Sequence, residues 1–197
     1  QQLHGRLRRF RVGGTARRGR AVGWRGLKTH PLPVHPTMTD PTWLSRARAD
    51  IGQRETLGPN DSPRIRAMLK KLRLDWLAGQ PWCGSILAEW MLDCGIQPPA
   101  NAFRAKAWAT WGGALTVPVL GCVAVFGRVG GGHVGIVVGQ DARGRPMILG
   151  GNQGDRVCIA PFDPARLLAY RWPAGATDPQ LPLPLLVSSA ASSSDEA

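Results

Sequence analysis

The feature that most constrains the fold is a change of pattern at Gly112-Gly113. Before it, apolar residues recur at helical spacing. After it, short β-rich runs alternate with Gly, Asp or Pro turns. Helices first and an antiparallel meander second is the signature of an α+β domain.

On the helical side, Asp40-Pro41 reads as a start, with Asp as N-cap and Pro at the first helical position. That helix is expected from Thr42 to about Ile51, burying Trp43, Leu44 and Ala47. A loop over 52–61 precedes a second start at Ser62-Pro63, and Ile65, Met68, Leu69 and Leu72 give an amphipathic helix. A third helix begins at Pro81-Trp82-Cys83-Gly84 and ends near Cys94-Gly95, with glycine as the C-cap. Asn101 is expected to cap a fourth, Ala102 to Trp111, with Phe103, Ala107, Trp108 and Trp111 facing the core. The expected strands are Val117 to Phe126, His133 to Val138, Pro146 to Leu149, Arg156 to Ala160 and Leu167 to Arg171.

The third helix carries the most chemical information. A helix N-terminus has unpaired N–H groups and partial positive charge, and a thiol held there ionises more easily. Cys83 stands at that position. Cys94 lies three turns along the same helix, so only one of the two thiols can occupy the start. Gly130-Gly131-Gly132-His133-Val134-Gly135 places a histidine at the head of an apolar strand, and His133 is the only histidine after residue 35. A Cys/His mechanism in the folded part has no other base. His30 and His35 receive no role.

Leu149-Gly150-Gly151-Asn152-Gln153 ends another strand in an amide pair. Asn152 is the candidate orienter of the imidazole, completing a Cys-His-Asn nucleophile–base–orienter set. Gln153 is the alternative, since neighbouring strand residues point to opposite faces and only one is expected to reach the site. The bland reading is that Gly-Gly-Asn-Gln is only a turn. The Cys83 backbone N–H is expected to form part of the oxyanion hole. Trp82 is a candidate wall for a substrate groove, and Glu55, with Asn60 and Asp61, lies in the loop ahead of the Cys helix as a candidate substrate contact.

Composition narrows the classes. The length of 197 residues suits one domain with tails, and 43% hydrophobic residues suffice for a core. No apolar run approaches the ~18–20 residues of a membrane helix, and no h-region of a secretory signal is read. Cysteines 83, 94, 122 and 158 lack zinc-type pairing, so neither a metal nor another cofactor is expected. Cys94, Cys122 and Cys158 read as buried thiols of a protein made in a reducing compartment. The net charge of +12 is uneven: residues 1–37 hold nine Lys/Arg and no acid, leaving 16 − 13 = +3 for residues 38–197. The expected organisation is a basic, disordered arm over 1–37, a domain over 38–173 and a Pro/Ala/Ser tail over 174–197.

Pro-Trp-Cys-Gly, Gly-Gly-Gly-His-Val-Gly and Leu-Gly-Gly-Asn-Gln, in this order, resemble the NlpC/CHAP class of papain-like cysteine peptidases. The likeness extends to small phage and prophage lytic proteins, in which a closing Tyr-Arg-Trp-Pro recurs, here Tyr170 to Pro173. It covers about residues 41–173. It implies a papain-like fold, in which a nucleophile-bearing helix packs on an antiparallel sheet bearing His133 and the polar third residue. It implies bacterial peptidoglycan as substrate, cut by an endopeptidase in the peptide stem or by an amidase at its junction with the sugar. The one departure is Gly84-Ser85, where alanine is the expected residue.

The sequence-based reading is therefore a peptidoglycan hydrolase of the endolysin type, reaching the wall through a holin or within a virion. Two other classes are kept. The domain is alternatively a non-catalytic wall-binding or virion structural module. Or the chain binds nucleic acid through the arm, with steep salt dependence.

Overall fold

Among the described residues, three α-helices and a six-stranded antiparallel sheet follow one another in the order the pattern change demands. The computed structural model describes residues 39–56, 62–177, 183–187 and Ser193. All of them belong to one compact unit, Thr37–Ala197. The basic arm expected over 1–37, with His30 and His35, lies outside the described residues, as do Asn60 and Asp61.

Helix α1 (Thr42–Arg48) buries Trp43, Leu44 and Ala47. Its start differs from expectation. Pro41 is the N-cap, and the Asp40 carboxylate accepts instead from Arg48 Nε at 2.5 Å. Helix α2 (Pro63–Lys71) follows its sequence signal, with Ser62 Oγ accepting from the Ile65 N–H at 3.3 Å and proline opening the helix. Helix α3 (Cys83–Asp93) is buried over its first nine residues, because it is packed by α1 and α2 on one side and by the sheet on the other.

The expected fourth helix does not form as such. Asn101 sits at φ +56°, where it cannot cap, and only Ala105–Thr110 coils, as a 3-10 helix. Of the four residues expected to face the core there, only Trp108 is buried, its indole N–H held by the Ala102 carbonyl at 2.8 Å.

The strands are β1 (Gly113–Leu115), β2 (Val123–Arg128), β3 (Gly131–Gln140), β4 (Pro146–Gly150), β5 (Cys158–Pro161) and β6 (Leu167–Trp172). β2 to β5 form the expected meander, while β6 returns to pair with β2 and carries β1 at the edge, giving β1-β6-β2-β3-β4-β5. The first expected strand is shortened and displaced: Val117 is exposed and pairing begins only at Val123. Arg128 pairs with Gly131 across a two-residue turn at Val129-Gly130, so the glycine run leads directly into β3.

The tail is not wholly outside the fold. Residues 183–187 run beside β3, where the Gln140 N–H donates to the Pro184 carbonyl and the Leu186 N–H to the Gln140 carbonyl. Among the described residues no helix is long and apolar enough to cross a membrane.

The outer seam of α1, α2 and α3 is sealed by charge. Arg46, Arg64 and Lys71 face Asp50, Glu89 and Asp93, three against three. Asp50 and Glu89 are buried. Burial works against ionisation of Asp50, but the hydrogen bonds from Arg64 and the Trp90 indole outweigh it and hold the carboxyl below its usual range. Asp93 is likewise lowered, burial being outweighed by Lys71 and Arg46.

Two predictions follow from this packing. Depressed acids stabilise the fold above the usual carboxylate range, and that stability is lost as pH falls through their folded values. Thermal melting is therefore expected to steepen below pH ~4, and Asp50→Asn to flatten that dependence while costing about 1–3 kcal/mol at neutral pH. The second concerns the positions where alanine was expected. A Cβ on Gly84 would lie 2.4 Å from the Ala102 carbonyl oxygen and 2.6 Å from that of Phe103, and both are backbone atoms. Ser85 Oγ is buried with no hydrogen-bond partner. Gly84→Ala should lower the melting temperature and Ser85→Ala should raise it, by about 1 kcal/mol or more in each direction.

Candidate active site

Cys83 is the first helical residue of α3, with Trp82 as the N-cap. Its thiol sits where the first-turn N–H groups lack intrahelical acceptors, a setting that favours a thiolate. The helix start is fixed by close approach to the turn after β4. A Cβ on Gly151 would fall 2.3 Å from Trp82 Cζ3 and 2.7 Å from Ile86 Cγ2, so only glycine lets this turn lie flat on the indole. Trp82 itself is 1% exposed, and its Nε1–H donates to Glu55 Oε2 at 2.9 Å. The expected groove wall is thus a packing platform, and Glu55 is the acceptor that holds it.

His133, fully buried on β3, stacks on Phe162 with ring centres 4.9 Å apart and planes at 19°. Its Nε2 lies 2.9 Å from Gln153 Oε1. The Gln153 side-chain nitrogen is 2.8 Å from the Cys158 carbonyl oxygen and 3.3 Å from that of Ile148. Carbonyls only accept, so the amide is oriented with its NH2 on these oxygens and its Oε1 on the ring. The imidazole must then donate from Nε2, which leaves the basic lone pair on Nδ1. A nearby Cβ is excluded here too: one placed on Gly150 would stand 2.6 Å from Gln153 Oε1 and 2.9 Å from His133 Nε2.

The residue that grips the imidazole is therefore Gln153, where Asn152 had been expected. The strand-alternation argument fails because β4 ends at Gly150. Asn152, Gly154 and Asp155 take left-handed φ values of +58°, +59° and +56°, and the chain turns back so that the Gln153 N–H meets the Arg156 carbonyl at 3.1 Å. Gly-Gly-Asn-Gln is a turn, and the turn is what delivers Gln153. Asn152 is buried within it.

A cavity of about 560 Å3 opens beside Cys83. It is walled by Phe103–Lys106, Arg128 and Gly130–Gly132, together with Leu77 and Gln80-Pro81. The backbone just ahead of His133 and the nucleophile candidate thus share one opening, whereas Trp82, Glu55 and Gln153 do not line it. Arg104, Lys106 and Arg128 were missed in the sequence. Their signal was a basic residue on each side of the expected fourth helix's first turn and another at the end of the strand before the glycine run.

The other thiols differ. Cys122 is buried and its pKa is pushed up to about 12 by that burial. Cys94 caps the far end of α3, and Cys158 lies 3.5 Å from the Gln153 amide nitrogen. Both are half-buried where buried thiols were expected. Among the described residues no group of three His, Cys, Asp or Glu could hold a metal ion. No protein-family model matches the chain, and no curated protein matches it.

The amide lock has a direct readout. Nitrogen-resolved NMR of neutral His133 should show the proton on Nε2, and Gln153→Ala should abolish that preference. Asn152→Gly should preserve it, since glycine adopts the left-handed conformation freely. Loss of the tautomer in Asn152→Gly with retention in Gln153→Ala would reverse the two roles.

Proposed function

We propose that this protein is a cysteine hydrolase that cleaves amide bonds in the peptide part of the bacterial cell wall. One observation carries the reading: the Gln153 side chain, pinned by two carbonyls, forces the His133 proton onto Nε2 and turns Nδ1 into the ring's base. Supporting it are Cys83 at a helix start, the cavity it shares with Gly130–Gly132, and a helix packed on an antiparallel sheet as the papain-like resemblance implies.

In this mechanism His133 Nδ1 takes the Cys83 proton as the sulfur attacks the scissile carbonyl. The negative charge that forms on oxygen is met by the first-turn N–H groups of α3, the Cys83 N–H among them. The imidazolium then protonates the leaving amine, and a thioester remains on Cys83. Water, deprotonated by His133, attacks the thioester and returns the thiol. Gln153 keeps the ring in register throughout by accepting from Nε2–H. The wall peptide as substrate rests on the ordered motifs around Cys83, His133 and Gly150–Gln153.

The test is clearing of purified cell walls, with mass spectrometry of the released fragments to identify the bond. Cys83→Ala should fold and lose clearing by at least ~10³-fold, while Cys94→Ala retains it. Iodoacetamide should label Cys83 ahead of the other three thiols. Undiminished clearing by Cys83→Ala would falsify the cysteine mechanism, and intact walls with the wild-type protein would remove the substrate.

A further inference from the structure

The charge around the Cys83 cavity is one-sided. Arg104, Lys106 and Arg128 all line it, and no Asp or Glu does. Among the described residues none of the three enters an ion pair, as is also true of Arg66, Lys70 and Arg73; what sets these three apart is that they share one cavity with Cys83. With no acid beside them, three cations at one opening give it a positive potential that favours an anion.

Their placement is built rather than incidental. Arg104 lies with its guanidinium 5.5 Å from the Phe103 ring centre. Lys106 Cγ is 3.3 Å from where a Cβ on Gly132 would stand, and Arg128 Nε is 3.3 Å from the same point on Gly131. The glycine run therefore leaves a bare floor across which the Lys106 and Arg128 side chains lie. That floor is one and two residues from His133, at about 3.3 Å of strand per residue. The three cations and Cys83 line the same cavity.

We propose that Arg104, Lys106 and Arg128 form a subsite for a carboxylate on the residue flanking the scissile amide, so that the preferred substrate is an acidic peptide. The inference rests on Cys83 as nucleophile and specifies what surrounds it. A carboxylate is favoured over a nucleic-acid phosphate by the shape of the site. Leu77, Pro81 and Phe103 give the cleft apolar walls, and the thiol that lines it calls for an acyl group. Wall peptide stems supply such groups as glutamate and diaminopimelate carboxylates, which some walls carry as amides.

The test uses the full chain and two independent readouts. The first is the rate ratio of Cys83 alkylation by iodoacetate, an anion, to that by iodoacetamide, its neutral counterpart. It should fall about tenfold in the Arg104→Gln/Lys106→Gln/Arg128→Gln protein, and should fall in the wild type as salt is raised. All three side chains are exposed, so the variant is expected to melt near the wild-type temperature. The second is hydrolysis of wall peptides with free or amidated stem carboxylates. The wild type should prefer the free acids through KM, and the variant should lose that preference. A ratio no higher in the wild type than in the variant overturns the subsite, as does protection of Cys83 by an oligonucleotide but not by an acidic peptide. A charge-dependent ratio in a protein that leaves all walls intact upholds the subsite and removes only the wall as substrate.

Discussion

The site depends on a contact between a bare stretch of backbone and an indole ring. The turn after β4 reaches the start of α3 through Gly151, which rests on Trp82 at a distance no Cβ would allow. Trp82 in turn is tied by its indole N–H to Glu55. One residue on each side of this contact is chemical: Cys83 follows Trp82, and Gly150, beside the His133–Gln153 pair, precedes Gly151. The helix and the turn are thus set against each other by glycine backbone on a buried indole that Glu55 holds in place. On the far side of α3, Gly84 plays the same part against the 102–103 backbone, so the first turn is clamped from two directions. A clamp of this kind fixes the start of α3, and with it Cys83, because the ring is buried and its rotamer is set by packing and by Glu55.

Charge is divided between two faces with opposite logic. On the helical seam, three cations and three acids neutralise one another, and Asp50 and Glu89 are buried because their partners compensate the loss of water. Beside Cys83, three cations stand without acids. The same residue types give structure in one place and an unmet demand in the other. Sequence charge counts cannot separate the two, since +3 for residues 38–197 is compatible with either arrangement.

Much of this was legible in the chain. Ser62-Pro63 and the Cys94-Gly95 stop marked helix boundaries because their signals are local: a hydroxyl for a free N–H, a proline with its φ preset, a glycine in the left-handed region. Cys83 at a helix start was readable for the same reason. Two of the failures involved a tertiary competitor, and a third a local turn. Asp40 had the right chemistry to cap α1, but Arg48 offered an ion pair. The residues after Asn101 had helical spacing, but α3 packs so closely there that Gly84 meets backbone, and the segment tightens into a 3-10 coil. The choice between Asn152 and Gln153 was made by a period-two rule that holds only inside a strand. Once the chain enters left-handed residues, its side-chain directions are set by the turn, and the longer amide reaches the ring.

The cationic rim and the Cys–His pair interact less than their closeness suggests. Moving the proton from Cys83 to His133 converts a neutral pair into a thiolate and an imidazolium, whose charges also sum to zero. The rim attracts the thiolate and repels the imidazolium, so its influence on the transfer is only the difference of two opposed terms. A bound carboxylate adds a full negative charge and feels all three cations with one sign. The rim can therefore act strongly on which substrate enters while acting weakly on the proton transfer inside the pair. On the proposed mechanism, that separation gives the two tasks to different residues: Gln153 would fix the base through a hydrogen bond of defined direction, and Arg104, Lys106 and Arg128 would select charge through a field that has none. Catalysis needs the geometry of the first, and recognition tolerates the looseness of long exposed side chains in the second.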